Sequence, residues 1–175
     1  MLNYSCIKIN RTIDQLDKLI DREACGDLFL SSCPGMGKDL LGDIEIIKDL
    51  DISCVASLVG KDELTELGAK NLSENISSQN IKFIQFEIKN FGIPTTTQYE
   101  ELKSFINEIK DNIICGKNVF VHCMAGLGRT GMIAALVLAK LGTSINQSIA
   151  IIRDTRPGSI ETAEQEGFVR NFKLN

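Results

Sequence analysis

The chain has 175 residues, of which 43% are hydrophobic and 24% charged, and its formal net charge is −4 at pH 7. This length and apolar fraction are typical of one domain with a full core, so we expect a single domain over residues 1–175. The negative charge and the lack of a Lys/Arg cluster argue against a nucleic-acid partner and an anionic membrane surface. The longest apolar run, residues 132–139, is too short to span a bilayer.

Cysteine usage indicates a reducing compartment. The six cysteines contain no CxxC pair, and residues 1–8 lack the apolar segment of a secretory signal. We therefore predict a cytoplasmic protein with free thiols, in which three cysteines are buried and inert: Cys33, Cys54 and Cys115. Cys and His residues do not recur at metal-ligand spacing, so neither a metal nor another cofactor is predicted.

Taken in chain order, the hydrophobic pattern alternates between strands and helices. Short apolar or alternating runs predict strands at residues 7–9, 28–30, 52–59, 81–88 and 118–121. Helical periodicity predicts helices at residues 40–50, 62–67, 99–114, 130–141, 144–153 and 162–172. Residues 97–100 fit a capping box for the third of these helices. The alternation predicts an α/β fold, with helices flanking a central, largely parallel sheet of four or five strands.

One segment, residues 121–131, combines a nucleophile with an anion site. A strand precedes its glycine-rich loop and an apolar helix follows, so the loop presents backbone N–H groups at a helix N-terminus. Cys123 begins the loop, where these groups stabilise a thiolate, and Arg129 ends it with a planar fork for two phosphoryl oxygens. The residues between them are predicted to bind phosphate through their backbone: Met124, Ala125, Gly126, Leu127 and Gly128.

Residues 122–130 resemble the HCxxGxxR[ST] signature of the cysteine-dependent protein tyrosine and dual-specificity phosphatases. Residues 90–94, Asn-Phe-Gly-Ile-Pro, are similar to the DFGxP loop of that family, which carries the general acid. Residues 156–166 look like the RPGSIET-x-EQ segment of small dual-specificity phosphatases. Weaker similarity at residues 34–40 and 62–64 is to the kinase-associated phosphatase branch. The resemblance covers most of the chain and implies a dual-specificity phosphatase-like fold.

The resemblance implies roles for the residues around Cys123, which would form a cysteinyl-phosphate. His122, the single histidine of the chain, would orient the loop. Gln165 or Glu161 would position or activate the water that hydrolyses the intermediate. The hydroxyl of Thr130 can donate to the cysteine sulfur.

Asn90 departs from the family pattern, in which this position holds the general acid Asp. An amide cannot protonate a leaving oxygen, and general acid catalysis typically contributes ~10²–10⁴-fold. We therefore expect a slow enzyme or a substitute donor, with candidates in the order Glu161, Asp62, Glu63 and Glu87. Asparagine is also a common turn residue. The sequence alone is equally compatible with a natural Asn90 and with one introduced to trap substrate.

Two functions are consistent with these residues. The first is a protein phosphatase acting on phosphotyrosine, with phosphoserine and phosphothreonine as further substrates, because a phenolate leaves without a general acid most readily. The neutral Met124 and Leu127 disfavour phosphoinositides, whose phosphatases in this superfamily have lysines in the loop. The alternative is a pseudophosphatase that binds phosphoproteins with little turnover, which Asn90 favours and the intact Cys123 and Arg129 oppose. A kinase partner has no support from individual residues.

Two other enzyme classes fit the loop less well. A rhodanese-like sulfurtransferase lacks the Gly-Arg-Thr-Gly helix start, and an arsenate reductase usually needs resolving cysteines near the loop. The sequence therefore favours phosphate ester chemistry over sulfur or arsenate chemistry.

Overall fold

The computed structural model describes residues 2–12 and 24–174, and within them five strands form one sheet. The strands are β1 (Tyr4–Ile7), β2 (Leu28–Ser31), β3 (Ile52–Ser57), β4 (Lys82–Gln85) and β5 (Asn118–His122). Their spatial order is β1-β2-β5-β3-β4. Strand β1 pairs antiparallel with β2, and the other neighbours pair in parallel. The predicted α/β fold with a largely parallel sheet is confirmed.

Eight α-helices lie in the same described ranges. They are α1 (Ile9–Thr12), α2 (Leu40–Asp49), α3 (Lys61–Glu66), α4 (Leu72–Ser78), α5 (Tyr99–Ile114), α6 (Gly128–Lys140), α7 (Ile145–Thr155) and α8 (Ala163–Asn171). All six predicted helices are confirmed, with ends within two residues of the prediction. None of the helices in the described part of the chain is long and apolar enough to cross a membrane.

Four local predictions were wrong. The first strand lies earlier than residues 7–9, and Ile9 already begins α1. Helix α4 was missed because its apolar signal consists of Leu72 and Ile76, its two buried residues. The capping box is formed by Thr95 with Gln98, since a 3₁₀ turn (Thr96–Gln98) precedes α5. Cys115 is exposed beyond the end of α5, whereas Cys33 and Cys54 are buried as predicted.

The sheet brings the carboxyl ends of three parallel strands together at one edge. His122 at the end of β5 stands in register with Ser31 of β2 and Ser57 of β3. Helix α6 starts six residues after that point and is buried from Gly128 to Leu138, which explains its nearly all-apolar sequence. Because ligands of open parallel sheets bind outside the carboxyl ends of the strands, this edge is the expected site.

Candidate active site

The loop between β5 and α6, residues 123–127, curves around a small concave space, here called the cup. The carbonyl groups of residues 124–127 point away from the cup. The Met124 carbonyl accepts a hydrogen bond from the Cys33 N–H at 2.9 Å, and the Leu127 carbonyl accepts one from Ile160 N–H at 3.3 Å. The Ala125 and Gly126 carbonyls accept from the Arg156 guanidinium at 3.1 and 2.7 Å. Since C=O and N–H point in opposite directions across a trans peptide, the N–H groups that follow these carbonyls point into the cup. The predicted phosphate-binding segment therefore has the geometry of an anion-binding nest.

Cys123 lies at the base of this cup, where it is 3% exposed. Its Sγ accepts a hydrogen bond from the Gly126 N–H at 3.2 Å. This backbone donor fixes the sulfur at the base of the cup, and the N-terminus of α6 adds positive potential there. The cup thus combines a nucleophile with the donors that would hold a phosphoryl group.

Gly126 is a position where the loop requires glycine. Its φ is +75°, and a Cβ there would lie 2.6 Å from the Ser32 nitrogen and closer still to the Ser31 carbonyl. Gly126→Ala is expected to displace the N–H that contacts Cys123 and to lower kcat/KM on an aryl phosphate by about 10²–10³-fold, the usual effect of losing one oxyanion donor. Steady-state kinetics measure this loss.

Gly68→Ala is the matched control for Gly126→Ala. Gly68 also has a positive φ, +76°, but a Cβ there meets nothing within 4 Å. It therefore tests backbone strain without displacing the loop. Equal kinetics for the two variants would contradict the role of the Gly126 backbone.

Arg129 is held by a set of contacts that fixes its guanidinium at the cup. Its Nη1 donates to Glu63 Oε2 at 2.8 Å and to the Ile88 carbonyl at 2.9 Å. Its Nη2 donates to Glu63 Oε1 at 2.7 Å and to Asn90 Oδ1 at 3.1 Å. The residue is 1% exposed. Burial lowers the pKa of Arg129, but the Glu63 hydrogen bonds and the nearby Cys123 outweigh burial and raise that pKa above its ordinary value.

Glu63 is the functional residue whose position the sequence did not predict. It stood third among the candidate proton donors, but here its two carboxylate oxygens form a bidentate ion pair with Arg129. With both oxygens engaged by the guanidinium, the Glu63 carboxylate is placed to hold Arg129 rather than to reach a leaving group. The available signal was a carboxylate in the first turn of α3, a short helix that follows β3 at the site edge.

His122 and Thr130 flank the cup in buried positions. His122 is fully buried, and its Nδ1 lies 3.3 Å from the Cys123 carbonyl, to which a proton on that nitrogen would donate. Burial lowers the pKa of His122 to about 4, so the ring is neutral at physiological pH. The Thr130 hydroxyl is buried and, among the described residues, has no hydrogen-bond partner. The bond from Thr130 to the sulfur is therefore absent here, and its role stays a prediction.

Asn90 lies in an exposed turn beside Arg129, whose Nη2 donates to its Oδ1. Its Oδ1 also accepts the Phe91 N–H at 3.1 Å. Phe91 has a φ of +58°, a strained value for an aromatic residue, and is 55% exposed. The turn is closed by the Gly92 N–H, which donates to the Lys89 carbonyl at 2.9 Å.

Glu161 precedes α8 and Gln165 lies in its first turn, and both side chains reach the N-terminus of α6 next to the phosphate loop. A Cβ on Gly128 would lie 2.8 Å from Gln165 Oε1 and nearer still to Glu161 Oε2. Buried Gln165 accepts the Glu161 N–H at 3.1 Å and donates to the Gly92 carbonyl at 3.3 Å. It thereby connects the Asn90 turn to the segment beside the cup. The structure thus brings five predicted site residues to one place: Asn90, Cys123, Arg129, Glu161 and Gln165.

The remaining donor candidates are Glu87 and Asp62. Glu87 packs against Gly60, where its carboxylate would collide with a Cβ, and Asp62 is exposed in the first turn of α3. In the described ranges no group of three or more His, Cys, Asp or Glu side chains has the arrangement of a metal site.

The chain is similar to known phosphatases. The family model described as "Dual specificity phosphatase, catalytic domain" matches residues 38–173. Cyclin-dependent kinase inhibitor 3 of Rattus norvegicus is 28% identical over 156 residues, covering 83% of this chain and 72% of that protein. Protein tyrosine phosphatase domain-containing protein 1 of Bos taurus is 37% identical over 110 residues, covering 61% of this chain. This chain matches 13% of the bovine protein's length.

Solved structures show the same fold. A crystal structure of kinase associated phosphatase has a TM-score of 0.82 and 23% identity, covering 98% of this chain and 93% of that chain. A structure of Tk-PTP has a TM-score of 0.68 and 26% identity, covering 83% of this chain and 88% of the other. A largely parallel sheet with flanking helices, and a glycine-rich loop at the carboxyl ends of its strands, is the architecture of an α/β protein of the phosphatase type. The chain belongs to the dual-specificity phosphatase catalytic-domain family.

Proposed function

We propose that this chain is a cysteine-dependent protein phosphatase that hydrolyses phosphotyrosine, with phosphoserine and phosphothreonine as slower substrates. One observation carries the proposal. The Cys123 Sγ accepts a hydrogen bond from the Gly126 N–H at the base of a loop in which the carbonyls of residues 124–127 point outward. A site that only binds phosphate has no use for a nucleophilic sulfur at that point.

The first step is attack of the Cys123 thiolate on phosphorus, in line with the leaving oxygen. The S–P bond forms as the P–O bond to the substrate side chain breaks, giving a cysteinyl-phosphate. The loop N–H groups and Arg129 hold the three equatorial oxygens, where the charge of the transition state is spread. The oxygen departs as a phenolate or takes a proton from solvent, because the Asn90 amide carries no acidic proton.

The second step is attack of water on the cysteinyl-phosphate, which releases phosphate and restores the thiolate. Glu161 lies beside Gly128 at the mouth of the cup and is exposed, so its carboxylate is placed to accept a proton from that water. Gln165 holds the backbone of Glu161 through its side-chain oxygen. These contacts support Glu161 as the base and Gln165 as its positioning residue.

Arg129 must change partners when a phosphoryl group arrives. Its four Nη hydrogens are engaged by Glu63, Ile88 and Asn90. A substrate oxygen can approach Nε–H, but it reaches Nη2 by displacing Asn90 Oδ1. A bidentate phosphate contact therefore requires the Asn90 turn to move, while Glu63 keeps the guanidinium in place.

A comparison of leaving groups tests the proposed substrate preference. We expect kcat/KM on a phosphotyrosine peptide to exceed that on the same peptide with phosphothreonine by about 10²-fold or more, since an alkoxide needs a proton donor that Asn90 cannot supply. Phosphate release from the two peptides, matched outside the phosphoresidue, measures this ratio. Equal rates on both would contradict the assignment of Asn90 as a lost acid.

A phosphoprotein-binding module is the second candidate function, and the same Asn90 contact favours it. An amide at the acid position, bonded to the catalytic arginine, suits retention of a phosphoresidue more than its release. Phosphopeptide binding without phosphate release would support this alternative. The phosphatase function needs Cys123 as a free thiol, as it is in this structure, which supports a reducing, cytoplasmic location.

A further inference from the structure

Arg156 is a buried cation whose contacts join the phosphate loop to the N-terminal strand. It follows α7 and is 5% exposed. Its Nε and Nη2 donate to the carbonyls of Gly126 and Ala125 at 2.7 and 3.1 Å. Nη1 donates to Asn3 Oδ1 at 3.2 Å and Ser5 Oγ at 3.3 Å, and Nη2 also donates to the Asn3 carbonyl at 3.2 Å. All five N–H donors therefore have acceptors.

The carbonyls that Arg156 holds belong to the peptide units that face Cys123 and the cup. The Ala125 carbonyl shares a peptide unit with the Gly126 N–H, which donates to Cys123 Sγ at 3.2 Å. The Gly126 carbonyl shares the next unit with the Leu127 N–H. A cation bonded to a carbonyl polarises that peptide and strengthens the hydrogen bond donated by its N–H. The guanidinium thus acts on the sulfur through one peptide unit, without touching it.

Arg156 and Arg129 carry the same charge, but only Arg129 has a carboxylate partner in the described part of the chain. Arg129 is neutralised by the bidentate Glu63 pair, whereas the five acceptors of Arg156 are all neutral groups: carbonyls, a side-chain amide and a hydroxyl. Burial lowers the pKa of Arg156, but an arginine remains protonated in proteins. A buried positive charge that no carboxylate of residues 2–12 or 24–174 contacts favours a negative charge nearby, and the Cys123 thiolate and the phosphoryl group supply one.

We propose that Arg156 is a positioning residue for the nucleophile: it aligns the 125–126 and 126–127 peptide units so that their N–H groups face the sulfur and the phosphoryl oxygens. The inference rests on the proposed phosphatase function for its effect on turnover, but not for its effect on the thiol. Asn3 and Ser5 fix the far side of the guanidinium, so the segment around β1 belongs to the support of the site.

The test compares Arg156→Met, Arg156→Lys and Arg170→Met. Arg170 is the matched control because it is exposed on α8, pairs with Glu166 at 2.7 Å and donates to Asn146 Oδ1 at 2.6 Å, away from the phosphate loop. Two quantities are measured: the rate of Cys123 alkylation by iodoacetamide from pH 5 to 9, and kcat and KM on an aryl phosphate. The other titratable groups around the sulfur are unchanged in all three variants: Cys33, Glu63, His122 and Arg129.

We expect Arg156→Met to require a higher pH for half-maximal alkylation and to lower kcat/KM about 10- to 100-fold, the range for losing a hydrogen bond to a charged group. Arg170→Met is expected to stay within about twofold of the wild type, as surface pairs contribute little. Alkylation and kinetics of Arg156→Met that match those of Arg170→Met would overturn the proposal.

Two readouts keep the outcome decisive. Should Arg156→Met lose cooperative thermal unfolding, Arg156→Lys decides: an ammonium keeps the charge but cannot bridge both loop carbonyls and Asn3 as the fork does. A fall of about tenfold in kcat/KM for Arg156→Lys supports the proposal, and wild-type values overturn it.

Alkylation of Cys123 requires no turnover, so it measures the effect of Arg156 even in a chain that has no phosphatase activity. Absence of activity would therefore refute the proposed function and leave the test of Arg156 intact.

Discussion

Cys123→Ser is expected to abolish turnover, with a loss of about 10⁵–10⁶-fold in kcat, the scale seen when a catalytic nucleophile is removed. A serine hydroxyl remains protonated where a thiolate would form, and the neutral His122 ring does not contact that side chain, because its Nδ1 lies against the 123 carbonyl. The phosphate loop and Arg129 stay in place, so phosphopeptide binding should persist. Phosphate release and equilibrium binding measure the two effects separately.

Cys33→Ser is the control for Cys123→Ser. Cys33 is a buried neighbour whose backbone N–H holds the Met124 carbonyl at 2.9 Å, and burial raises the pKa of its thiol to about 12. It is therefore a thiol at neutral pH and no nucleophile, and its replacement should leave turnover within a few-fold of the wild type. Turnover that survives in Cys123→Ser, or is lost equally in both variants, would contradict the assignment of the nucleophile.

Asn90→Asp is expected to raise kcat/KM on a phosphothreonine peptide by about 10²–10⁴-fold, the contribution of a positioned general acid. The gain on an aryl phosphate with a good leaving group should be much smaller, because that group leaves without protonation. Position 90 lies at the cup, within 3.1 Å of Arg129 Nη2. The pair of substrates in one steady-state assay measures the difference between the two gains.

Asn80→Asp makes the same change of charge in an exposed turn, where Asn80 also has a positive φ, +60°. It should change neither rate by more than about twofold. A wild type that is already fast on phosphothreonine, with no gain from Asn90→Asp, would place the proton donor elsewhere. Glu161 beside Gly128 would then be the residue to replace.

The sequence could predict the parts of the site that lie close together in the chain. Strand β5, its loop and α6 are continuous, so Cys123 and Arg129 were placed by local pattern alone. The Arg129 partner Glu63 is 66 residues away, and the Arg156 partner Asn3 is 153 residues away. Such pairings depend on how strands order themselves in the sheet, which hydrophobic periodicity does not encode.

Local ambiguity explains the smaller errors in the fold. The residues before α5 offer two capping boxes, one starting at Thr95 and one at Thr97, with equal spacing. The choice depends on a 3₁₀ turn that closes before the helix, in which Gln98 also donates to the Glu87 carbonyl at 3.1 Å. Helix α4 has two buried residues among polar ones, so packing rather than propensity determines it.

Trapping of the covalent intermediate tests the central claim most directly. The chain is mixed with a phosphotyrosine peptide, quenched in acid within milliseconds and digested, and the mass of the peptide that carries Cys123 is measured. We expect one added phosphoryl group on Cys123 in the wild type, none in Cys123→Ser, and phosphate release at the rate at which the adduct decays. Release of phosphate without any adduct on Cys123, or binding with neither adduct nor release, would contradict the account.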